Sequence, residues 1–347
     1  MDHPVWEERL RGDPVAWLLE DEAPAVRHLA LRRLLHRSAD DPEVAEARAA
    51  AMAAPPISTF LDAEDPDGWW IEPGPSYGPK YRSTTWTLIF LDQMGADGDD
   101  PRIRRACEHV LDNDLVPGGG FGIGQGKTKP RASLQLHCLN GNLLRAVIGF
   151  GFGDDPRVRD AIAWETAAIL GTAGHRFYKG GTSGRGFACG ANEDLPCAWG
   201  AIKALLALAR IPPTERTPDV AAAVRAGVEL LLSVDPATAT YPMGWGNAKP
   251  SGSWFRLGFP SGYVADVLQA MEAVCAAGAA GDPRLAGAVD WLVAQQGPDG
   301  RYTNRYSYAG KMVADVDAQG EPSRWVTLRA CGVLAAVHEA TAVDVGG

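Results

Sequence analysis

Two kinds of hydrophobic pattern alternate along this 347-residue chain. In the first, apolar positions recur every three or four residues among charged ones: DDPRIRRACEHVL from Asp99 to Leu111, DDPRVRDAIAWET from Asp154 to Thr166, TPDVAAAVRAGVELLL from Thr217 to Leu232 and GDPRLAGAVDWLV from Gly281 to Val293. That period predicts half-exposed helices with one apolar face. In the second, charge is scarce: STTWTLIFLDQM near Trp86, SLQLHCLNGNLLRAVIGF around Cys138, CAWGAIKALLALARI from Cys197, SGYVADVLQAMEAVCAAG from Ser261 and RWVTLRACGVLAAVHEA from Arg324. Near-continuous apolarity predicts buried, inner helices.

Each half-exposed helix opens with Asp or Thr before Pro, a capping residue followed by a residue whose missing N–H costs nothing at the first helical position. Pro101, Pro156, Pro218 and Pro283 are 55, 62 and 65 residues apart, room for two helices and two loops per unit. Outer helix followed by inner helix, about five times over, predicts an all-α chain. It is either a closed α/α toroid of five to six pairs whose inner helices line a cavity, or an open solenoid of stacked pairs. Long loops rich in Gly and aromatics ahead of the inner helices favour the ring. The segment Asp13–Leu35 reads as a compact HEAT-like pair, and Glu43–Ala54 as an Ala-rich helix stopped by Pro55. The expected division is an N-terminal helical segment, 1–54, that caps or completes a toroid domain, 55–347.

Charge narrows the partners. With 33 basic and 43 acidic residues the formal net charge is −10, which repels a phosphate backbone and argues against nucleic acid. No run approaches the roughly 20 apolar residues of a membrane span, and MDHPVWEERLRGDP has no signal-peptide pattern. The expectation is a cytoplasmic protein whose six cysteines are thiols or metal ligands rather than disulfides.

Cys138, Cys189 and Cys197 are the sharpest local cluster, because the starts of neighbouring inner helices meet at one rim of a toroid. With His137, Asp194 or water they make a candidate zinc site, thiolate and imidazole being zinc ligands. The alternative is that they are buried small hydrophobes, as expected for Cys107, Cys275 and Cys331. Candidate substrate-binding residues are the aromatics Trp86, Trp199, Trp245, Trp254, Phe259, Tyr263 and Trp325, several in the long irregular stretch Tyr241–Tyr263, a candidate lid. Polar residues inside apolar helices cost free energy unless paired. Asn140, Asn142 and Lys203 are taken as cavity residues, and Asp266 with Arg329 as a bridge between helices. Lys127, Lys129 and Arg131 offer a diphosphate a basic loop, while His175 and Lys179 are expected to be exposed.

Three loops, DPDGWW at Asp65–Trp70, VPGGGFGIG at Val116–Gly124 and QQGPDGRY at Gln295–Tyr302, resemble the Gln-and-aromatic loops of the terpenoid cyclase and protein prenyltransferase superfamily, whose domains are α/α toroids. The likeness runs over roughly residues 55–343. It implies two sites. ADVDAQG resembles the D-x-D-D proton-donor motif of class II terpene cyclases, with Asp317 as the acid, but Ala318 stands where the last Asp belongs. NEDLPCAWG resembles the zinc-bearing helix start of prenyltransferase β subunits, with Asp194 three residues before Cys197, yet SRWVTLRACG lacks the matching His. HCLNG faintly resembles the Cys-His-Gly segment of lanthionine cyclases, another zinc toroid.

Three functions follow. The first is a diverged cyclase- or prenyltransferase-like enzyme acting on a hydrophobic small molecule in the toroid, with Asp194 and Asp317 as candidate catalytic residues. The second is a zinc-dependent cyclase, lyase or transferase using the cysteines. The third is a non-catalytic helical-repeat module that binds a ligand or protein.

Overall fold

The computed structural model describes residues 5–172, 182–242 and 251–345. It holds thirteen α-helices among these residues: α1 (Pro14–Leu18), α2 (Pro24–Arg33), α3 (Pro42–Ala53), α4 (Ile57–Asp62), α5 (Thr84–Met94), α6 (Pro101–Asn113), α7 (His137–Val147), α8 (Pro156–Leu170), α9 (Ala198–Leu208), α10 (Pro218–Leu231), α11 (Val267–Ala276), α12 (Ala286–Ala294) and α13 (Arg324–Val345). Three two-residue strands, β1 (Ser183–Gly184), β2 (Ala188–Cys189) and β3 (Leu195–Pro196), form a small antiparallel sheet ahead of α9.

The near-continuously apolar helices form the inner ring. Helix α5 packs on α7, α7 on α9, α9 on α11, α11 on α13 and α13 on α2. The ring closes where Leu29 of α2 meets Gly95 at the end of α5. This is an α/α toroid of six pairs, with α1, α3 with α4, α6, α8, α10 and α12 outside. The N-terminal pair supplies the sixth inner helix, and one apolar core runs from Trp6 to Ala335 without a break at residue 54. The tightest inner seam is α7 against α9: a Cβ on Gly141 would lie 2.2 Å from the Lys203 carbonyl carbon.

The repeated Asp-Pro-Arg phrase is an outer-ring clasp. Asp100, Asp155 and Asp282 each accept the backbone N–H two residues on, at 2.8, 2.8 and 2.9 Å, capping α6, α8 and the turn before α12. The arginine after the proline folds back onto its own Asp and reaches acids of the preceding outer helix. Arg102 meets Asp62, Arg157 meets Glu108 and Asp112, and Arg284 meets Glu229. The copy at Thr217 has Asp219 where the others have arginine, so among the described residues no such clasp joins α10 to α8. A cavity of about 730 Å³ lies between them, lined by Ile162, Ala163, Thr217 and Asp219 among others.

The inner helices run parallel, so their C-terminal ends, each a partial negative charge, gather at one face. Arg33, Arg145 and Arg210 stand there beside Asp92. Arg145 Nε lies 3.1 Å and Arg210 a guanidinium nitrogen 2.7 Å from its two oxygens. Burial, then the neighbouring Arg145 and Arg210, push Arg33 down to about 10.

Candidate active site

The centre of the ring is filled rather than open. The buried segment 257–262, which precedes α11, crosses it and is tied to four inner helices. Gly258 donates to Asp266 (3.0 Å), and its carbonyl accepts from Arg329 of α13 (2.6 Å). Ser261 exchanges two hydrogen bonds of 2.8 Å with the Gln93 amide of α5, and the Gly262 carbonyl accepts from Asn142 of α7 (3.2 Å). The Phe259 ring stacks on Trp325 at 4.5 Å and 6°. Below this strap Lys203 donates to Gln269, and a residual space of about 10 Å³, enough for one water, is lined by Arg33, Arg145, Glu272 and Arg329.

This arrangement corrects several expectations. Asn142, Phe259 and Trp325 hold the strap, and Lys203 fills the lumen under it instead of facing a free cavity. Asn140 lies outside the lumen altogether: its amide is spent on both the N–H and carbonyl of Phe121 and on Leu136. Trp254 is fully buried, donating to Pro236 and packed on Tyr241. Arg329 does face Asp266, at 3.8 Å, but its closer partner is Glu272, at 2.6 Å. Lys127, Lys129 and Arg131 stand exposed on their loop. Trp245, His175 and Lys179 lie outside the described residues.

At the rim formed by the inner helix starts, Trp86 and Tyr263 belong to an aromatic cluster. Trp86 meets Tyr81 and Tyr263 at 5.0 Å each, and Tyr81 meets Tyr308 at 4.3 Å. The Lys80 ammonium sits over Tyr263, Tyr81 and Trp86 at 4.8, 5.3 and 5.6 Å. Lys80 and the tyrosines at 81 and 308 lie in irregular loops, where no periodicity marks them. Trp199 precedes Lys203 by one turn on the same face of α9, its buried indole N–H without a hydrogen-bond partner.

Asp317 occupies a different place, at the seam where α13 meets α2. It lines a cavity of about 390 Å³ together with Trp17, Val26, Pro55, Pro56, Arg324 and Trp325. Asn304 donates to its Oδ2 at 3.1 Å, and the Ser323 hydroxyl, itself at the start of α13, donates to the same oxygen. Burial pushes the carboxyl up to about 6, against the pull of those two donors. Both side-chain donors converge on Oδ2. Trp17 is already flanked by Arg301 and Arg324, at 4.2 and 4.9 Å, so its ring is a wall more than a free cation site.

The chain matches no protein-family profile and no curated protein. Among solved structures it is similar to an apo type II terpene cyclase, MstE from Scytonema, with 15% identity and a TM-score of 0.44 over 92% of this chain and 88% of that one. A protein from Actinoplanes matches with 16% identity and a TM-score of 0.30 over 85% and 99%. A variant of the Scytonema cyclase in complex with geranylgeranyl dihydroxybenzoate matches with 13% identity and a TM-score of 0.32 over 86% and 97%. The toroid itself rests on the helix packing described above.

The three cysteines do come to one rim, but as a thiol cluster. A hydrogen bond with Cys197 is the largest influence on Cys189 and, with the charge of His137, brings its thiol down to about 6 against burial. The same bond and burial hold Cys197 well above the ordinary thiol range, and burial pushes Cys138 up to about 12. Both nitrogens of His137 are engaged, Nδ1 with Glu165 at 2.8 Å and Nε2 with the Gly184 carbonyl at 3.0 Å. Burial lowers the imidazole, but Glu165 and Gly184 reverse the balance and raise it. With its ring so tied, His137 does not fit as a zinc ligand. Among the described residues no three His, Cys, Asp or Glu side chains form a metal-binding group. Asp194 stands half-buried at the β2–β3 turn with φ of 62°, its N–H donating to the Cys189 carbonyl at 2.9 Å. Glu165 was overlooked in the sequence, although a lone acid within AIAWETAAIL is the signal that could have found it.

Proposed function

We propose that the protein is a cyclase-like enzyme that protonates an alkene of a hydrophobic small molecule, with Asp317 as the acid. The observation that carries this reading is Asp317 itself: a carboxyl raised to about 6, fixed by Asn304 and Ser323, on the wall of a cavity of about 390 Å³ that Trp17, Val26, Pro55, Pro56 and Trp325 also line. That volume falls in the range of about 300–1,000 Å³ common for small-molecule sites. The position also agrees with the resemblance of ADVDAQG to a proton-donor motif. In the step envisaged, the O–H bond of Asp317 breaks, a C–H bond forms at the alkene, and the carboxylate left behind keeps its two donors. An internal alkene closing on the cation gives a ring, and loss of a proton ends the sequence.

The test is incubation with a panel of linear polyprenyl alcohols and prenylated phenols, followed by chromatography and mass spectrometry. A cyclic isomer made by the wild type and lost in Asp317→Asn, with ligand binding retained, supports the proposal. A second reading, binding without chemistry, is favoured by the filled lumen. It is supported if the wild type binds members of the panel and returns all of them unchanged.

A further inference from the structure

Along the outer ring, successive helices from α4 to α12 meet at four junctions, and the arginine clasp closes three of them. Its acids hold fixed places. On α6 they stand seven and eleven residues after Pro101, as Glu108 and Asp112, and on α10 eleven residues after Pro218, as Glu229. Counted from Pro156, the same places on α8 hold Ala163 and Ala167. With Asp219 in place of the arginine, the α8–α10 junction lacks both halves of the clasp. Two alanines and an aspartate stand where the neighbouring junctions carry long charged side chains, and all three line the cavity of about 730 Å³.

The walls of this cavity say what would fit it. Ile162, Ala163, Thr166 and Ala167 fall on one face of α8 by their spacing, and all four line the cavity. Ile211 and Val220 extend the apolar wall. Thr166 is only 4% exposed, yet its hydroxyl has no hydrogen-bond partner, not even the carbonyl one turn back that a helical threonine commonly takes. A buried hydroxyl is costly to leave unpaired, so a polar atom of an occupant belongs beside it. The two arginines of the lining are already engaged, Arg159 with Asp154 at 2.6 Å and Arg210 with Asp92 at 2.7 Å. Glu215 and Asp219 line the cavity as exposed carboxylates with no ion pair among the described residues.

We propose that the α8–α10 junction is a binding site for an amphipathic organic amine, independent of the Asp317 cavity. The ammonium pairs with Asp219 and Glu215, the carbon body covers Ile162, Ala163 and Val220, and a hydroxyl or second amine on the ligand bonds Thr166. Each feature rejects a different competitor. A carboxylate ligand would meet two unpaired acids, a purely apolar one would leave the Thr166 hydroxyl without a partner, and a bare metal cation would leave the apolar face of α8 uncovered.

The experiment is calorimetric titration of the full-length protein with three probes of one size: tyramine, phenethylamine and 4-hydroxyphenylacetate. Tyramine should bind about tenfold or more tighter than the carboxylate and about fivefold tighter than phenethylamine, which lacks the hydroxyl. Glu215→Gln combined with Asp219→Asn, both at exposed positions, should weaken tyramine about fivefold. Thr166→Val should abolish the difference between the two amines. Rebuilding the clasp with Ala163→Glu and Asp219→Arg should remove binding of both amines while the circular dichroism spectrum stays that of the wild type. If that variant or Thr166→Val does not fold, the wild-type selectivity and the Glu215, Asp219 variant decide. No saturable binding of either amine at millimolar concentration, equal binding of tyramine and 4-hydroxyphenylacetate, or tyramine binding unchanged by the loss of both carboxylates would each overturn the proposal.

Discussion

Asp317 and Cys189 show how two acids of ordinary type acquire opposite character from their neighbours. The Asn304 and Ser323 side chains and the Ala318 amide cannot hold Asp317 down against its burial, whereas Cys197 and the charge of His137 pull Cys189 down in spite of it. The sign for Asp317 follows directly. The acid form is the working form, so turnover should be full well below pH 6 and fall as pH rises through about 6. The same group contributes stability that is present below the ordinary carboxyl range near pH 4 and is lost on rising through about 6. Carbon NMR titration of labelled aspartate carboxyls, with Asp317→Asn to assign the signal, should give a midpoint near 6; a midpoint near 4 would remove the acid role. The sequence pointed to Asp317 through a fragment of motif. Its partners were hidden, because Asn304 and Ser323 are brought to it by a loop whose path no periodicity encodes.

At the level of elements, the Asp-Pro-Arg phrase accounts for much of what the sequence revealed. Capping acid, proline and clasping arginine are local, so the helix starts at residues 101 and 156 and the turn at 283 that leads into α12 were legible in the sequence. The arginine's cross-helix partners were not legible, since Arg157 and Glu108 are 49 residues apart. Replacing Arg157 by Ala should cost about 1 kcal/mol, the scale of a partly exposed ion network, and most of that should vanish when Glu108 and Asp112 are also neutral. Urea unfolding of the single and combined variants measures it, and fully additive losses would mean that the clasp does not couple the two helices.

For the molecule as a whole, helix patterning gave the ring but not its interior. A toroid read from outer and inner helices suggests a hollow centre. The strap at residues 257–262 fills it through bonds such as Gln93 to Ser261, 168 residues apart, which a stretch without repeat or period cannot announce. The polar residues Asn142 and Arg329 stand inside apolar helices and both donate to the strap, Arg329 alongside its pair with Glu272. Gln93→Leu should therefore leave the Ser261 N–H and carbonyl buried without partners and cost about 2–4 kcal/mol, a loss visible in urea midpoints. A loss below about 0.5 kcal/mol, the size of an ordinary surface change, would show that the strap is not held this way.

Filling of the lumen moves the candidate chemistry to the seam between the first and last inner helices, where Asp317 lines its cavity. The decisive measurement is turnover of a prenylated substrate in deuterium oxide, with the product examined by NMR. Delivery of a proton by Asp317 predicts a cyclic product carrying deuterium on the carbon that received it, formed by the wild type and absent with Asp317→Asn. A cyclic product without deuterium at that carbon, or one made equally well by Asp317→Asn, would contradict it.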